Sequence, residues 1–389
     1  MHRPARSLTA FVLTSLAVVT AQAELLSVSS VLAHRWSFNG DYGDSVGGSA
    51  AEAIGTVDFS ADEKSVVLPG GPRKSGSLDL GAGILPTDGR PFTIEIWAAQ
   101  ISPQAHSRIF SYHGDTTGPR FTMTWTIGTD VLRDVVHINK SVMSQAESTM
   151  APYAFNVKYH ISITVKPDHK GGCFMRWAKR NLVTGAIEKS GSMEGAFYPP
   201  DEIESARFFI GQSDNNNDND ANASYDEVRV WNGVLSDDQL SANALAGPDV
   251  IPDEVDAATS FSKAVWTGAA NDGDVANAAN WLCTDYAGNT LAGALPNAQS
   301  AVYLSGELAL QIPASKPLKC AELVCENVTL AADSDWRGFD AAEMNGVVSL
   351  AGNNLYVRGL PGSCTIDGTT GAAELVANGG FENCTLANG

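Results

Sequence analysis

Between residues 32 and 231 the chain repeatedly alternates apolar and polar positions with a period of two. This is the pattern of strands that bury one face. Leu32, Trp36 and Phe38 fall on one side and Arg35 and Ser37 on the other. Phe92, Ile94 and Ile96 oppose Thr93, Glu95 and Trp97; Phe121, Met123, Trp125 and Ile127 oppose three threonines. Ile161, Ile163 and Val165 oppose Ser162 and Thr164. Shorter runs at 66–68, 77–80, 108–112, 135–140, 172–178, 208–211 and 225–231 read as further strands, punctuated by Gly, Pro, Asn and Asp. One short helix is expected at 235–246, where Ser236 and Gln239 form a capping box and Gly247-Pro248 ends the helix. Many strands and no long amphipathic helix predict an all-β sandwich or jelly roll over residues 24–248.

The pattern then changes. Residues 249–262 hold Pro252 and several acids and read as a linker. Over 263–373, short apolar runs at 302–304, 308–312, 323–330, 347–350, 355–357 and 364–366 are separated by Gly and Asn. Their spacing predicts a second, smaller β-rich domain, either solenoid-like stacked rungs or a small sandwich. It loosely resembles repeat-bearing regions of bacterial surface or secreted proteins.

The N-terminus changes the expected compartment. His2, Arg3 and Arg6 precede an apolar run from Leu8 to Val19, and Ala21-Gln22-Ala23 is a small-x-small cleavage site. Residues 1–23 therefore read as a secretory signal peptide. No later stretch is long and apolar enough for a membrane span. Export permits disulfides among the six cysteines. Cys173 lies in an apolar strand and reads as a packed thiol, and the other five sit in the C-terminal half with no zinc or redox spacing. The net charge is −19. No basic run is available to neutralise phosphates, so nucleic acid is excluded as a partner.

Three motifs carry a resemblance. The first is His34-Arg35-Trp36-Ser37-Phe38-Asn39-Gly40 followed by Asp44-Ser45-Val46-Gly47-Gly48. The second is Leu78-Asp79-Leu80 followed by Phe92 to Trp97, and the third is Tyr225 to Trp231 followed by Val234 to Leu240. In order and spacing these resemble laminin-G-like jelly-roll domains of the concanavalin A-like lectin/glucanase superfamily. The resemblance implies an extracellular module that binds carbohydrate or protein, often with a structural calcium ion.

Calcium needs six to eight oxygen ligands. Asp44 near the first strand and Asp226 at the start of the last are candidates, because the family's terminal strands lie close together. Asn39, Asp41 and Glu227 are further candidate ligands. The alternative is that Asp44 caps a turn and Asp226 a strand end. A second acidic run, Asp214 to Asn222, lacks the Gly and closing Glu of an EF-hand loop and reads as a solvated loop. A sugar-binding platform would combine an aromatic ring with polar neighbours. Tyr112 and His113, expected in a loop, and Trp177, expected to face outward opposite Phe174 and Arg176, are the candidates.

Glucanases of this superfamily usually carry Glu-x-Asp-x-x-Glu on one strand, and that sequence does not occur here. Asp226 and Glu227 are adjacent and point to opposite faces of a strand. No histidine belongs to a recognisable nucleophile motif. The expected function is therefore a secreted or cell-surface, non-catalytic binding module for carbohydrate or a surface protein. Two alternatives are a polysaccharide-degrading enzyme or its accessory module, and a purely structural adhesin. Finally, Glu374 to Glu382 resembles the opening strand of galactose-binding-like carbohydrate modules. One strand cannot bury a core alone. Residues 374–389 are thus either the start of a further module or a strand that completes the second domain.

Overall fold

The computed structural model describes residues 25–258 except 88, 115–117, 127–133, 141–143, 151, 168–171 and 196. It also describes 263–387 except 285–289, 298–299, 342, 359–363, 370–374 and 379–384, and for 134–150, 258, 343, 376–378 and 387 the backbone alone. The proposed signal peptide lies outside the described residues. Among the described residues, no helix is long and apolar enough to cross a membrane.

The strands of the first domain are β1 (Leu25–Ser27), β2 (Leu32–Trp36), β3 (Glu52–Gly55), β4 (Asp58–Phe59), β5 (Val66–Pro72), β6 (Gly76–Ala82), β7 (Phe92–Ser102), β8 (Arg108–His113), β9 (Arg120–Thr124), β10 (Asp134–Lys140), β11 (Ser144–Met150), β12 (Lys158–Pro167), β13 (Cys173–Asn181), β14 (Ile187–Gly195), β15 (Arg207–Ile210), β16 (Asn219–Asn232), β17 (Val234–Leu235) and β18 (Glu254–Ala258). Three helices accompany them: α1 (Val28–Val31), α2 (Pro199–Glu202) and α3 (Asp237–Ala246). One sheet runs β11-β10-β9-β8-β15-β6-β3. The other runs β14-β13-β12-β7-β16-β5-β4, and β2 also pairs with the long β16. All pairings in these sheets are antiparallel.

The inward phase of each strand builds the core, as the alternation predicted. Phe92, Ile94, Ile96, Phe110, Phe121, Met123, Ile161, Ile163, Val165, Val228 and Val230 lie in one buried cluster. Fully burying one such side chain contributes about 1.5–3 kcal/mol. Cys173 is buried in the same cluster, and its thiol donates to the Phe197 carbonyl at 3.4 Å. The outward phase of the second sheet departs from the expected wet face. Thr93, Glu95, Trp97, His160, Arg229 and Trp231 are all buried. They are covered because α3 and the segment after it fold back over them. Asn243 of α3 donates to both oxygens of Glu95, and Arg229 donates to the Val250 carbonyl.

Helix α3 starts as the sequence indicated. The Ser236 hydroxyl accepts from the Gln239 amide at 3.1 Å, and Gly247 takes φ = 85° beyond its end. The segment expected to be a linker is in part a strand. β18 pairs with β1 and β17, and Val255 and Ala257 join a small core with Val31, Leu32, Trp231 and Leu235. The run of acids hid the alternation of Val255 and Ala257.

The second domain holds β19 (Lys263–Trp266), β20 (Trp281–Thr284), β21 (Ala301–Leu308), β22 (Leu318–Lys319), β23 (Glu322–Leu330), β24 (Ser334–Trp336), β25 (Phe339–Asp340), β26 (Glu343–Ser349), β27 (Leu355–Arg358), β28 (Cys364–Asp367), β29 (Leu375–Asn378) and β30 (Thr385–Ala387). From β21 onward the strands pair in parallel, in three separate ladders. Stacked partners such as Val302, Leu323 and Met344 recur 21 residues apart. This is a solenoid, the first of the two architectures the spacing allowed. β29 pairs in parallel with β27, so the strand that resembled a new module adds a rung to this ladder. Cys364 is disulfide-bonded, whereas Cys283, Cys320 and Cys325 are free and buried.

Candidate functional site

The expected calcium ligands do not form one shell. The Asp44 carboxylate meets His34 Nδ1 at 2.7 Å and accepts from the amides of Arg35, Val46 and Gly47. Burial works to raise its pKa, yet these bonds hold it below the ordinary carboxylate value. Asp226 is 2.6 Å from Lys158 Nζ, and burial raises its pKa against that partner. Glu227 accepts from Arg35 and Arg229. Asn39 donates to Asp249, and Asp41 accepts from the Gly43 amide in its own loop. Arginine, lysine and backbone amides take the positions a cation would need, so these residues do not fit the ion. Among the described residues, no group of three His, Cys, Asp or Glu side chains could hold a metal. The melting temperature of the purified chain is accordingly expected to be the same in calcium and in chelator. A bound ion at about 100 times its dissociation constant would add about 2.7 kcal/mol, a rise of several degrees that calorimetry would register.

The Asp/Asn run is solvated only at Asn216 and Asn217, whereas the carboxylates of Asp214 and Asp220 are turned inward. Arg108 donates to Asp214 at 2.6 Å and to Asp218 at 3.1 Å, and Arg120 reaches Asp214 at 3.1 Å. Asp220 is buried, and burial pushes its carboxyl up to about 6. The arginines that balance these acids come from β8 and β9, more than ninety residues earlier, so no local pattern announced them.

The three expected sugar contacts are also placed differently. Tyr112 and His113 lie in β8, not in a loop. Tyr112 packs in the core, and burial pushes its hydroxyl up to about 12. His113, on the opposite face, stacks on Phe209 with centroids 4.9 Å apart. Burial, with help from Arg73 and Arg120, lowers its pKa against the pull of Asp214. Trp177 does lie opposite Phe174 and Arg176, but its side is the sandwich interior. It is 5% exposed and packs over Gly191, and of the three it alone is among the residues that line the groove described below. A Cβ at position 191 would lie 2.7 Å from the indole, so only glycine fits under the ring.

What the structure assembles instead is a groove on the outward face of β12, β13 and β14, walled by α3. Strand register builds its floor. Ala178 stands between Ser162 and Ser190. On one side of that row Arg176 stands between Thr164 and Ser192; on the other, Arg180 stands between His160 and Ile187. A row of small side chains between two arginine rows leaves a depression. A cavity of about 310 Å³ occupies it, with Asp237, Leu240 and Ser241 of α3 as its wall. A second cavity of about 570 Å³ shares Thr164, Arg176 and Ser192 and reaches Lys166, Phe174 and Glu194. The groove is therefore elongated.

Its side chains are held from behind. His160 Nε2 meets buried Glu95 at 2.8 Å, which fixes that end of the floor. Arg180 donates to the Gly185 carbonyl and to Ser241 Oγ, each at 2.7 Å. Arg176 donates to Asp237 at 2.6 Å, but both side chains of that pair are mostly exposed. The hydroxyls of Ser162, Thr164, Ser190 and Ser192 can each donate and accept. The sequence did contain this face as the polar phase Ser162, Thr164 and Arg176, Ala178, Arg180. Nothing in the chain alone said that α3 would stand beside it.

Comparison with known proteins bears on the fold. A family model of the Concanavalin A-like lectin/glucanases superfamily matches residues 72–241. No curated protein matches the chain by sequence. Among solved structures, domain 4 of AbnA, a GH43 extracellular arabinanase from Geobacillus stearothermophilus, in complex with arabinotriose, is 18% identical. The match covers 54% of this chain and 97% of that one, with a TM-score of 0.40. The Ruminococcus gnavus IT-sialidase CBM40 bound to alpha2,3 sialyllactose is 14% identical over 46% of this chain and 95% of its own, with a TM-score of 0.34. The botulinum neurotoxin serotype C1 binding domain is 12% identical over 52% and 49%, with a TM-score of 0.36. None of these likenesses says what this chain binds. The two antiparallel sheets, the large buried core between them and the segment matched at 72–241 give the first domain a concanavalin A-like fold.

Proposed function

We propose that the first domain is a non-catalytic binding module that holds a carbohydrate chain in the β12–β14 groove, on a protein exported to the cell surface or beyond. The observation that carries this reading is the groove floor. Four hydroxyls and two guanidinium groups converge on an elongated, solvent-open depression with Ile187, Leu240 and Phe174 at its margins. A sugar presents hydroxyl edges and apolar C–H faces, and both find partners there. The non-catalytic reading is supported by where the buried acids are spent. Glu95 serves His160, Trp231 and Asn243, and Glu227 serves Arg35 and Arg229. Among the described residues, the two carboxyls with raised pKa, Asp220 and Asp226, line neither groove cavity. The solenoid serves in this reading as a spacer, since each added parallel rung extends it by about 4.8 Å.

Ala178→Trp tests the assignment. The new ring would fill the depression from its outward face without entering the core. Stability is expected to change by less than about 0.5 kcal/mol, as for a surface substitution. Binding to an immobilised oligosaccharide array should be lost. A variant that keeps wild-type binding would place the carbohydrate site elsewhere.

A further inference from the structure

We infer that the groove selects saccharides that carry a carboxylate, as uronic acids do, and that Arg176 is the residue that reads it. This inference rests on the carbohydrate reading above and deepens it.

The charges facing the groove run against those of the chain. The protein carries a net charge of −19. Lys166, Arg176 and Arg180 nevertheless line the two cavities, against the carboxylates of Asp237 from α3 and Glu194 from β14. His160, the remaining titratable group, faces Glu95 behind the floor. Holding three cations along one groove of an acidic protein favours an anion there.

The two arginines differ in how they are held. Arg180 is bonded to a backbone carbonyl and to Ser241, so it is positioned but not neutralised. Arg176 meets Asp237, with side chains 58% and 69% exposed. An ion pair that open to water is worth little, so a ligand carboxylate can displace Asp237 at small cost. The guanidinium fork can then hold two carboxylate oxygens side by side, which a neutral hydroxymethyl group cannot match. Four strand positions separate Arg176 from Arg180, about 13 Å. That span, floored by the serine row, accommodates more than one sugar ring, with acid groups reaching an arginine at either end.

The test uses the full mature chain and three matched pairs of oligosaccharides that differ only at C6: cello-oligosaccharide and oligoglucuronate, galacto-oligosaccharide and oligogalacturonate, manno-oligosaccharide and oligomannuronate. In at least one pair the acidic member is expected to bind about tenfold or more tightly, with an affinity that falls as sodium chloride rises. Arg176→Gln should abolish the preference, leaving both members equal. Asp237→Asn should strengthen binding of the acidic member by removing its competitor. Circular dichroism would confirm that both variants are folded. Equal affinity for the two members of every pair that binds overturns the inference and leaves carbohydrate binding intact. So does an acid preference that survives Arg176→Gln. If no oligosaccharide of any pair binds, the carbohydrate reading fails and this inference fails with it.

Discussion

Glu227→Met is expected to destabilise the first domain by about 3–5 kcal/mol, the cost of breaking a buried ion network by removing one partner. Glu227 and Arg229 are both fully buried, on the outward side of β16. Glu227 accepts from Arg35 Nε at 3.0 Å, from the second Arg35 nitrogen at 2.9 Å, from Arg229 and from the Asp249 amide. Without the carboxylate, Arg229 remains in a dry site with no counter-charge. In a domain of this size the loss should lower Tm on the order of 10 °C. The double variant Glu227→Met/Arg229→Met removes both charges and should lose less than the single one, because the desolvation penalty disappears with the arginine. Denaturant titration of the two variants measures the difference. A single variant within about 1 kcal/mol of wild type would mean that water reaches Arg229 and that the segment after α3 does not seal this face.

Glu95→Ala should have a comparable effect on stability and a second effect on binding. Three buried donors converge on this carboxylate: His160 at 2.8 Å, Trp231 at 2.7 Å and Asn243 at 3.0 Å. Each orphaned buried group costs about 1–3 kcal/mol, so three of them should cost at least about 3 kcal/mol. Asn243 lies on α3, and its bond to Glu95 ties the groove wall to the sheet. Oligosaccharide affinity should therefore fall although Glu95 touches no ligand. Glu95→Gln keeps one acceptor oxygen and should fall between the alanine variant and wild type on both measures. Unchanged stability with Glu95→Ala would contradict the buried network; unchanged affinity alone would mean that α3 is held by other contacts.

Much of the fold was legible because strand periodicity and burial are the same fact seen twice. The inward phases at 92–96, 121–125 and 161–165 became the core as read. The start of α3 was legible from Ser236 and Gln239, since capping is local chemistry. The solenoid was legible only as one of two options, because short apolar runs fit either. What failed were the sites. Tyr112 and Trp177 were chosen as aromatics near polar residues, but both sit on the inward phase of their strands; Tyr112 belongs to the core alone, whereas Trp177 also lines the groove from beneath. The acids around Asp44 and Asp226 suggested a bound cation, but Lys158 meets Asp226, Arg35 and Arg229 meet Glu227, and the His34 ring with backbone amides takes up Asp44.

Although it did not mark β3, β4, β11, β14 or β18, the sequence by itself determined most of the core strands and which face of each turns inward, where α3 begins and that the second domain follows a different, β-rich pattern. Those are consequences of near-neighbour spacing along one chain. Tertiary structure alone decided that the segment after α3 folds back over the sheet, that arginines distant in sequence neutralise the Asp/Asn run, and that Ser162, Ala178 and Ser190 form one row beneath α3. These outcomes depend on strand register and on which elements pack together. The energy that selects them is burial of charge and apolar surface between residues far apart in the chain, which no local window contains.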